Sequence, residues 1–293
     1  MRSEQEMMAL ILGVAEEDER IRAVYMNGSR TNTNAPRDIF QDYDIVYVVT
    51  ETESFLANEN WIAQFGELLM MQEPDKMDSM LGKESDVSRT YAYLMLFNDG
   101  NRIDLRMQTV EAMREEFGQD KLTVVLMDKD KCLPEIPEST DEDFHVKRPT
   151  EALYLSSCNE FWWCLQNVAK GLWRDEIPYA KRMFDEVVRK PLDMMVSWLI
   201  GIRWDFNLSV GKMGKYFKRF LPENEWEMYE RTYSGSDISQ FWDSIFVACK
   251  LFRILAMEVA EHFSWNYPIV DDEKMTAYLK QVRNLPPNAK EIF

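Results

Sequence analysis

Cysteine and histidine are scarce in this chain, with four of the first and two of the second in 293 residues. Cys132, Cys158, Cys164 and Cys249 form no Cys-x-x-Cys pair, and the only histidines are His145 and His262. Zinc ligation and a Cys-His nucleophile therefore have no basis in spacing, and reduced structural thiols are expected. His145 falls in the charged stretch Asp141 to Arg148 and His262 in a helical pattern, so neither histidine is assigned chemistry. Positive charge is also in deficit: 34 Lys plus Arg face 51 Asp plus Glu, a formal charge of −17 that repels phosphate backbones and disfavours a nucleic-acid partner. Uncharged apolar runs never reach the roughly 18 residues that a membrane helix requires, and Met1 to Glu6 lacks the apolar stretch of a signal peptide. A cytoplasmic protein with no membrane partner is expected. No internal repeat or low-complexity tract is found.

What is present is apolar material. Hydrophobic residues make up 46% and aromatics 13%, enough for a sizeable core and, at this length, for two domains. Up to about Pro149 helical and strand-like segments alternate. A first helix carries Ser3 and Glu6 as a capping box, strands run to Met26 and from Tyr43, a helix spans Phe55 to Phe65, and further strands lie near Leu68, Tyr91, Ile103 and Leu122. This is the pattern of an α/β domain with a mixed sheet. Pro134 to Asp143 is proline-rich and acidic and reads as a linker. Beyond it come long amphipathic segments, Glu151 to Trp173, Tyr179 to Ile200 and Ile238 to Phe263, with Pro178 and Pro191 at helix starts or interruptions and Gly201, Gly211 and Gly214 in connections. The expected architecture is α+β, residues 1–148 holding the sheet and 149–293 a helical bundle. Phe161, Trp162, Trp163 and Trp198 belong mainly to the bundle's packing.

Three acids stand out. Asp42-Tyr43-Asp44 opens a β-branched and aromatic run, Ile45 to Val49, and residues two apart on a strand share a face. Asp104 lies in a second strand-like run, where Ile103 and Leu105 face one side and Arg102, Asp104 and Arg106 the other. Acids at strand ends commonly just face solvent, but here a third element intervenes. Gly28-Ser29 follows the strand-like run Ile21 to Met26, and glycine lets backbone amides approach a phosphate; a short helix starting near Ser29 would add its free amides and dipole. Convergent carboxylates beside such a turn suit a hard cation such as Mg²⁺ holding a nucleotide triphosphate.

This combination resembles the polymerase-β-like nucleotidyltransferase superfamily, with Gly28-Ser29 as the phosphate-binding turn and Asp42, Asp44 and Asp104 as the acidic triad. Gln41 stands where that pattern commonly has Ser, and the Thr31 to Phe40 insert is long. Over nearly its whole length the chain looks like the aminoglycoside 6-adenylyltransferases, the streptomycin-modifying branch, through Met26-Asn27-Gly28-Ser29-Arg30, Gln41 to Asp44, Arg102 to Leu105, Lys170 to Ile177, Ser197-Trp198 and Ser209-Val210-Gly211-Lys212.

The resemblance implies Mg²⁺-dependent transfer of AMP from ATP to an aminoglycoside hydroxyl, and so antibiotic inactivation. Two Mg²⁺ ions would be held by Asp42, Asp44 and Asp104, with Asp104 as general base or chiefly as a metal ligand. Gly28, Ser29 and Arg30, with Lys212 and Lys215 from the second domain, would bind the nucleotide; the P-loop spacing Gly-x-x-x-x-Gly-Lys-Ser/Thr is absent. Trp173, Asp175 and Glu176 at a helix end would bind an acceptor rich in guanidinium and hydroxyl groups, since carboxylates pair strongly with such cations. A nucleotidyltransferase acting on another small molecule or a protein, and a catalytically idle nucleotide-binding sensor, are the alternatives; the presence of all three acids speaks against the last. Monomer and homodimer both stay open.

Overall fold

The structure is a computed structural model that describes every residue, Met1–Phe293. It divides into two compact units, Met1–Asp143 and Phe144–Phe293. Residues 144–148, grouped with the sheet in the sequence reading, fall in the second unit, where the Val146 amide donates to Leu208 O (3.0 Å) and Arg148 pairs with Asp205 (2.6 Å).

The first unit opens with α1 (Glu4–Glu17), whose start is fixed by a reciprocal cap: the Ser3 hydroxyl accepts from the Glu6 amide and the Glu6 carboxylate accepts from the Ser3 amide. A six-stranded sheet follows, built from β1 (Ile21–Asn27), β2 (Tyr43–Val49), β3 (Leu68–Gln72), β4 (Thr90–Phe97), β5 (Arg102–Thr109) and β6 (Thr123–Asp128) in the order β3-β4-β5-β2-β1-β6. Only β2 and β5 pair in parallel, so the sheet is mixed. Short helices α2 (Glu53–Leu56), α3 (Pro74–Met80) and α4 (Val110–Glu116) connect the strands. Strand alternation sorts the sheet's two faces. Tyr43, Ile45 and Tyr47 pack with Met7 and Ile11 of α1, while Val46 and Val48 pack with Ala23, Tyr25 and Met113 on the other side. Asp44 shares the latter face.

The continuous helix expected from Phe55 to Phe65 is broken. It forms as α2 and a separate 3₁₀ turn, Trp61–Phe65, on either side of Asn58-Glu59-Asn60, where asparagines favour local turns over helix propagation. Phe55, Trp61 and Phe65 still pack against one another, with ring centroids 4.9 and 5.6 Å apart along the series.

The second unit is helical: α5 (Glu151–Trp173), α6 (Ile177–Arg182), α7 (Arg189–Arg203), α8 (Phe217–Phe220), α9 (Glu223–Glu230), α10 (Ile238–Phe263) and α11 (Ile269–Arg283). Between α6 and α7 the chain takes a π turn, Met183–Val188, that ends three residues before Pro191. Proline has no N–H for the carbonyl four residues back, here Val187, and a widened turn accommodates that loss without ending the helix. Phe161 of α5 stacks on Phe252 of α10 at 3.8 Å between centroids, with Trp162 edge-on to both. Trp163, by contrast, is mostly exposed. Gly201 lies inside α7 rather than in a connection; a Cβ there would meet the Phe206 ring at 2.7 Å, so the helix needs a residue without one.

The bundle contains one wholly buried acid. Asp272 accepts from the Arg253 guanidinium, Tyr267 and Thr276. Removing one partner of a buried pair strands the other's charge. Asp272→Ala is expected to destabilise the protein by about 3–5 kcal/mol, read from chemical denaturation, whereas Thr276→Ala costs about 1 kcal/mol.

Candidate active site

Strand pairing brings the acids together. Asp44 and Asp104 are direct register partners across the parallel β2–β5 ladder, where neighbouring strands lie about 4.8 Å apart. Asp42, two residues before Asp44, projects from the same side, and one carboxylate oxygen of each of the three acids lies within 4.8 Å of the others. Like charges set side by side on a sheet cost stability, so this arrangement is not explained by folding.

The electrostatics follow from the geometry. Burial raises the Asp44 carboxyl to about 7, and the charges of Asp42 and Asp104 push in the same direction. Arg102 partly offsets them: its guanidinium donates through Nε and Nη2 to both Asp104 oxygens (2.7 and 2.6 Å) and approaches Asp42 at 3.9 Å. Such a fork-on-carboxylate contact fixes the direction in which the Asp104 oxygens point.

On the other side of Asp44, Asn27 is its register partner on β1, and the chain turns there into a single 3₁₀ turn, Gly28–Thr31. Gly28 has φ +77, and a Cβ on it would lie 2.0 Å from Asp44 Oδ2. The turn is too short for the helix dipole anticipated near Ser29, so its attraction for an anion rests on free backbone amides. Gln41 Nε2 reaches back to Ser29 O at 3.4 Å, tying the turn to the chain just before Asp42. Asp44, Asp104, Gly28 and Asn27 line a groove of about 340 Å³ floored by Val46 and Leu94.

The Arg30 side chain is engaged by the fold itself. The guanidinium donates to Asp42 O (2.9 Å) and Gln41 O (2.8 Å) and lies 3.7 Å from the centre of the Tyr43 ring. It holds the carbonyls that lead into β2. Arg30→Ala is expected to lower kcat and the melting temperature together, by about 1–3 kcal/mol in stability, while KM for the nucleotide moves little; a selective rise in KM alone would contradict this role.

The other candidates belong to the second unit. Lys212 starts a 3₁₀ turn, Lys212–Gly214, with Lys215 just after it. Trp173 ends α5, and its indole N–H donates to Pro286 O (3.3 Å), so the ring serves the carboxyl-terminal tail rather than standing free. Asp175 and Glu176 are exposed, and Asp175 holds φ +60. Two groups beside the triad were not singled out as functional from the sequence. Arg102 could have been, since it shares a strand face with Asp104. Asp120 lines the groove from the loop before β6, and only the pairing of β6 with β1 brings it there.

Three hard carboxylate oxygens in a partly buried cluster fit a divalent cation, and backbone amides beside them fit phosphate. Known proteins resemble this chain over nearly its whole length. An aminoglycoside 6-adenylyltransferase from Campylobacter jejuni is 41% identical over 279 residues, 95% of each chain. One from Bacillus subtilis is 40% identical over 96% of this chain and 98% of its own, and one from Staphylococcus aureus 33% over 92% and 94%. A solved structure of an aminoglycoside 6-adenyltransferase from Bacillus subtilis is 36% identical, spans 97% of this chain and 100% of its own, and has a TM-score of 0.48. The model of the streptomycin adenylyltransferase family matches residues 1–282, and the chain is accordingly a nucleotidyltransferase belonging to that family.

Proposed function

We propose that the protein transfers AMP from ATP to a hydroxyl of an aminoglycoside, with streptomycin as the acceptor, and that Mg²⁺ supports the transfer. The observation that carries this reading is the convergence of Asp42, Asp44 and Asp104 beside the Gly28 turn, in a chain 33–41% identical to aminoglycoside 6-adenylyltransferases. Asp42, Asp44 and Asp104 would hold two divalent ions. Bound Mg²⁺ supplies charge neutralisation at the α-phosphate and acidifies a nearby hydroxyl.

The chain's own groups do the rest. Asp104, aimed by Arg102, accepts the acceptor's hydroxyl proton as the new oxygen–phosphorus bond forms and the bond to pyrophosphate breaks. An ordinary carboxylate is a weak base for an alcohol, so placement within hydrogen-bond reach carries much of the effect. Amides of Gly28 and Ser29 meet phosphate oxygens, and Lys212 and Lys215 offset their charge. Asp175 and Glu176 take the acceptor's cationic groups, with Trp173 anchoring the corner to the tail. Asp175 occupies a left-handed position at a helix end where glycine is the cheaper residue, which supports a role for its side chain. The charge of −17 raises the local concentration of a polycation.

Purified protein incubated with labelled ATP, Mg²⁺ and a panel of aminoglycosides provides the test. Adenylylated product and pyrophosphate are expected with streptomycin-type acceptors and not after chelation of the metal. Turnover with unrelated aminoglycosides but none with streptomycin would refute the acceptor; turnover undiminished by chelator would refute the metal.

A further inference from the structure

The strand that floors the triad groove also floors a second cavity on the opposite face of the sheet. Ala92 and Leu94 of β4 line the groove, and Tyr91 and Tyr93, alternating with them, line a space of about 650 Å³. That volume lies within the range of small-molecule sites. Ile62, Met71 and Met80 contribute apolar walls, and methionines adapt their shape to an occupant.

Two polar features are directed at this space. Tyr93 is only 5% exposed, lines the cavity, and its hydroxyl has no hydrogen-bond partner in the protein. Its neighbour Tyr91 does have one, donating to Glu73 Oε2 at 2.7 Å. That hydroxyl opens onto the cavity rather than into closed core, so an occupant there would meet a free donor and acceptor. The charge is negative: Glu59 and Glu73 line the cavity against a single ammonium, Lys76, which already pairs with Glu73 at 3.1 Å. Both carboxylates are felt at Tyr93, whose hydroxyl is pushed up to about 12 by burial first and then by Glu73 and Glu59, so it stays protonated and able to donate or accept.

We infer that this cavity is a second ligand site, for a small organic cation with an apolar or aromatic body and an ammonium group. Tyrosine faces and carboxylates attract the cation, and the apolar walls take the body. The cavity lies on the sheet face opposite the acidic groove, so its occupant is separate from the acceptor there. The inference does not depend on the transfer reaction.

Isothermal titration with three matched probes tests it: 2-phenylethylamine, neutral 2-phenylethanol and anionic 3-phenylpropionate, each against the full chain. The amine is expected to bind saturably, one per chain, and about tenfold or more tighter than the anion. Tyr93→Phe, which keeps the ring, and Glu73→Gln are each expected to weaken the amine about three- to tenfold, with Asp44→Asn leaving it unchanged. If Glu73→Gln fails to fold, Tyr93→Phe alone decides. No saturable binding of the amine at millimolar concentration, equal affinity for amine and anion, or amine affinity untouched by Tyr93→Phe overturns the proposal. So does loss of binding in Asp44→Asn, which would place the probe in the triad groove.

Discussion

Asp44→Asn is expected to abolish nucleotidyl transfer and, in the same molecule, to raise the melting temperature of the metal-free protein at pH 8. Both effects come from one carboxylate. Asp44 is largely buried beside Asp42 and Asp104, and its carboxyl is raised from 3.8 to about 7. A folded-state value above the unfolded one means that the fold favours the protonated acid. That contribution is complete below about pH 4 and is lost as pH rises through about 7, where the fold must carry a third negative charge. Asparagine keeps the shape and never carries the charge. Its advantage is therefore on the order of a few kcal/mol at pH 8 and shrinks toward pH 5, and it is lost in part again when a divalent ion is added, because only the wild type gains from the ion. Calorimetric melting at pH 5 and pH 8, with and without Mg²⁺, reads all four values. A variant less stable than wild type at pH 8 without metal would show that the Asp44 charge is not a burden to the fold. Activity is expected to fall by about 10³-fold or more, as for loss of a group that organises charge in the transition state.

The same residues show which parts of the site the sequence could disclose. Side-chain alternation along a strand is a local property, so the shared face of Asp42 and Asp44, and of Arg102 and Asp104, follows from period two alone. Pairing is not local. That β2 lies against β5 in parallel, with Asp44 opposite Asp104, depends on the intervening residues 50–101 placing β3, α3 and β4 at one edge. Helix limits were legible where amphipathic patterns are long and capped: α5 and α10 begin at residues preceded by Thr150 and Asp237, whose side chains accept from the amides of Leu153 and Gln240. They were not legible for α9 and α11, which are short or polar-faced and owe their place to packing and to the buried Asp272 pair. Arg30 illustrates a different limit. A basic residue after Gly-Ser reads as a phosphate ligand, yet Tyr43 and two backbone carbonyls claim its guanidinium once β2 is in place.

Gly28→Ala is the second substitution with a large expected effect, and Gly100→Ala is its control. Both glycines hold a left-handed backbone, φ +77 and φ +85. An alanine forced into that region costs about 1–2 kcal/mol at either position. The surroundings differ. A Cβ at Gly100 would meet nothing within 4 Å, whereas at Gly28 it would lie 2.0 Å from Asp44 Oδ2 and 2.9 Å from the carboxyl carbon. Gly28 must then move away from β2 or Asp44 must rotate out of line with Asp42 and Asp104, and either motion opens the cluster that grips the metal. Gly100→Ala is thus expected to melt a few degrees lower with near-normal turnover. Gly28→Ala is expected to lose at least about 10²-fold in kcat, since a displacement of about 1 Å at a reacting centre costs that much. Mn²⁺ affinity, followed by the ion's electron-spin resonance, separates strain from displacement: it falls in Gly28→Ala and holds in Gly100→Ala. Equal metal affinity in the two variants would mean that the glycine serves the turn alone, and that its closeness to Asp44 has no part in shaping the acidic cluster.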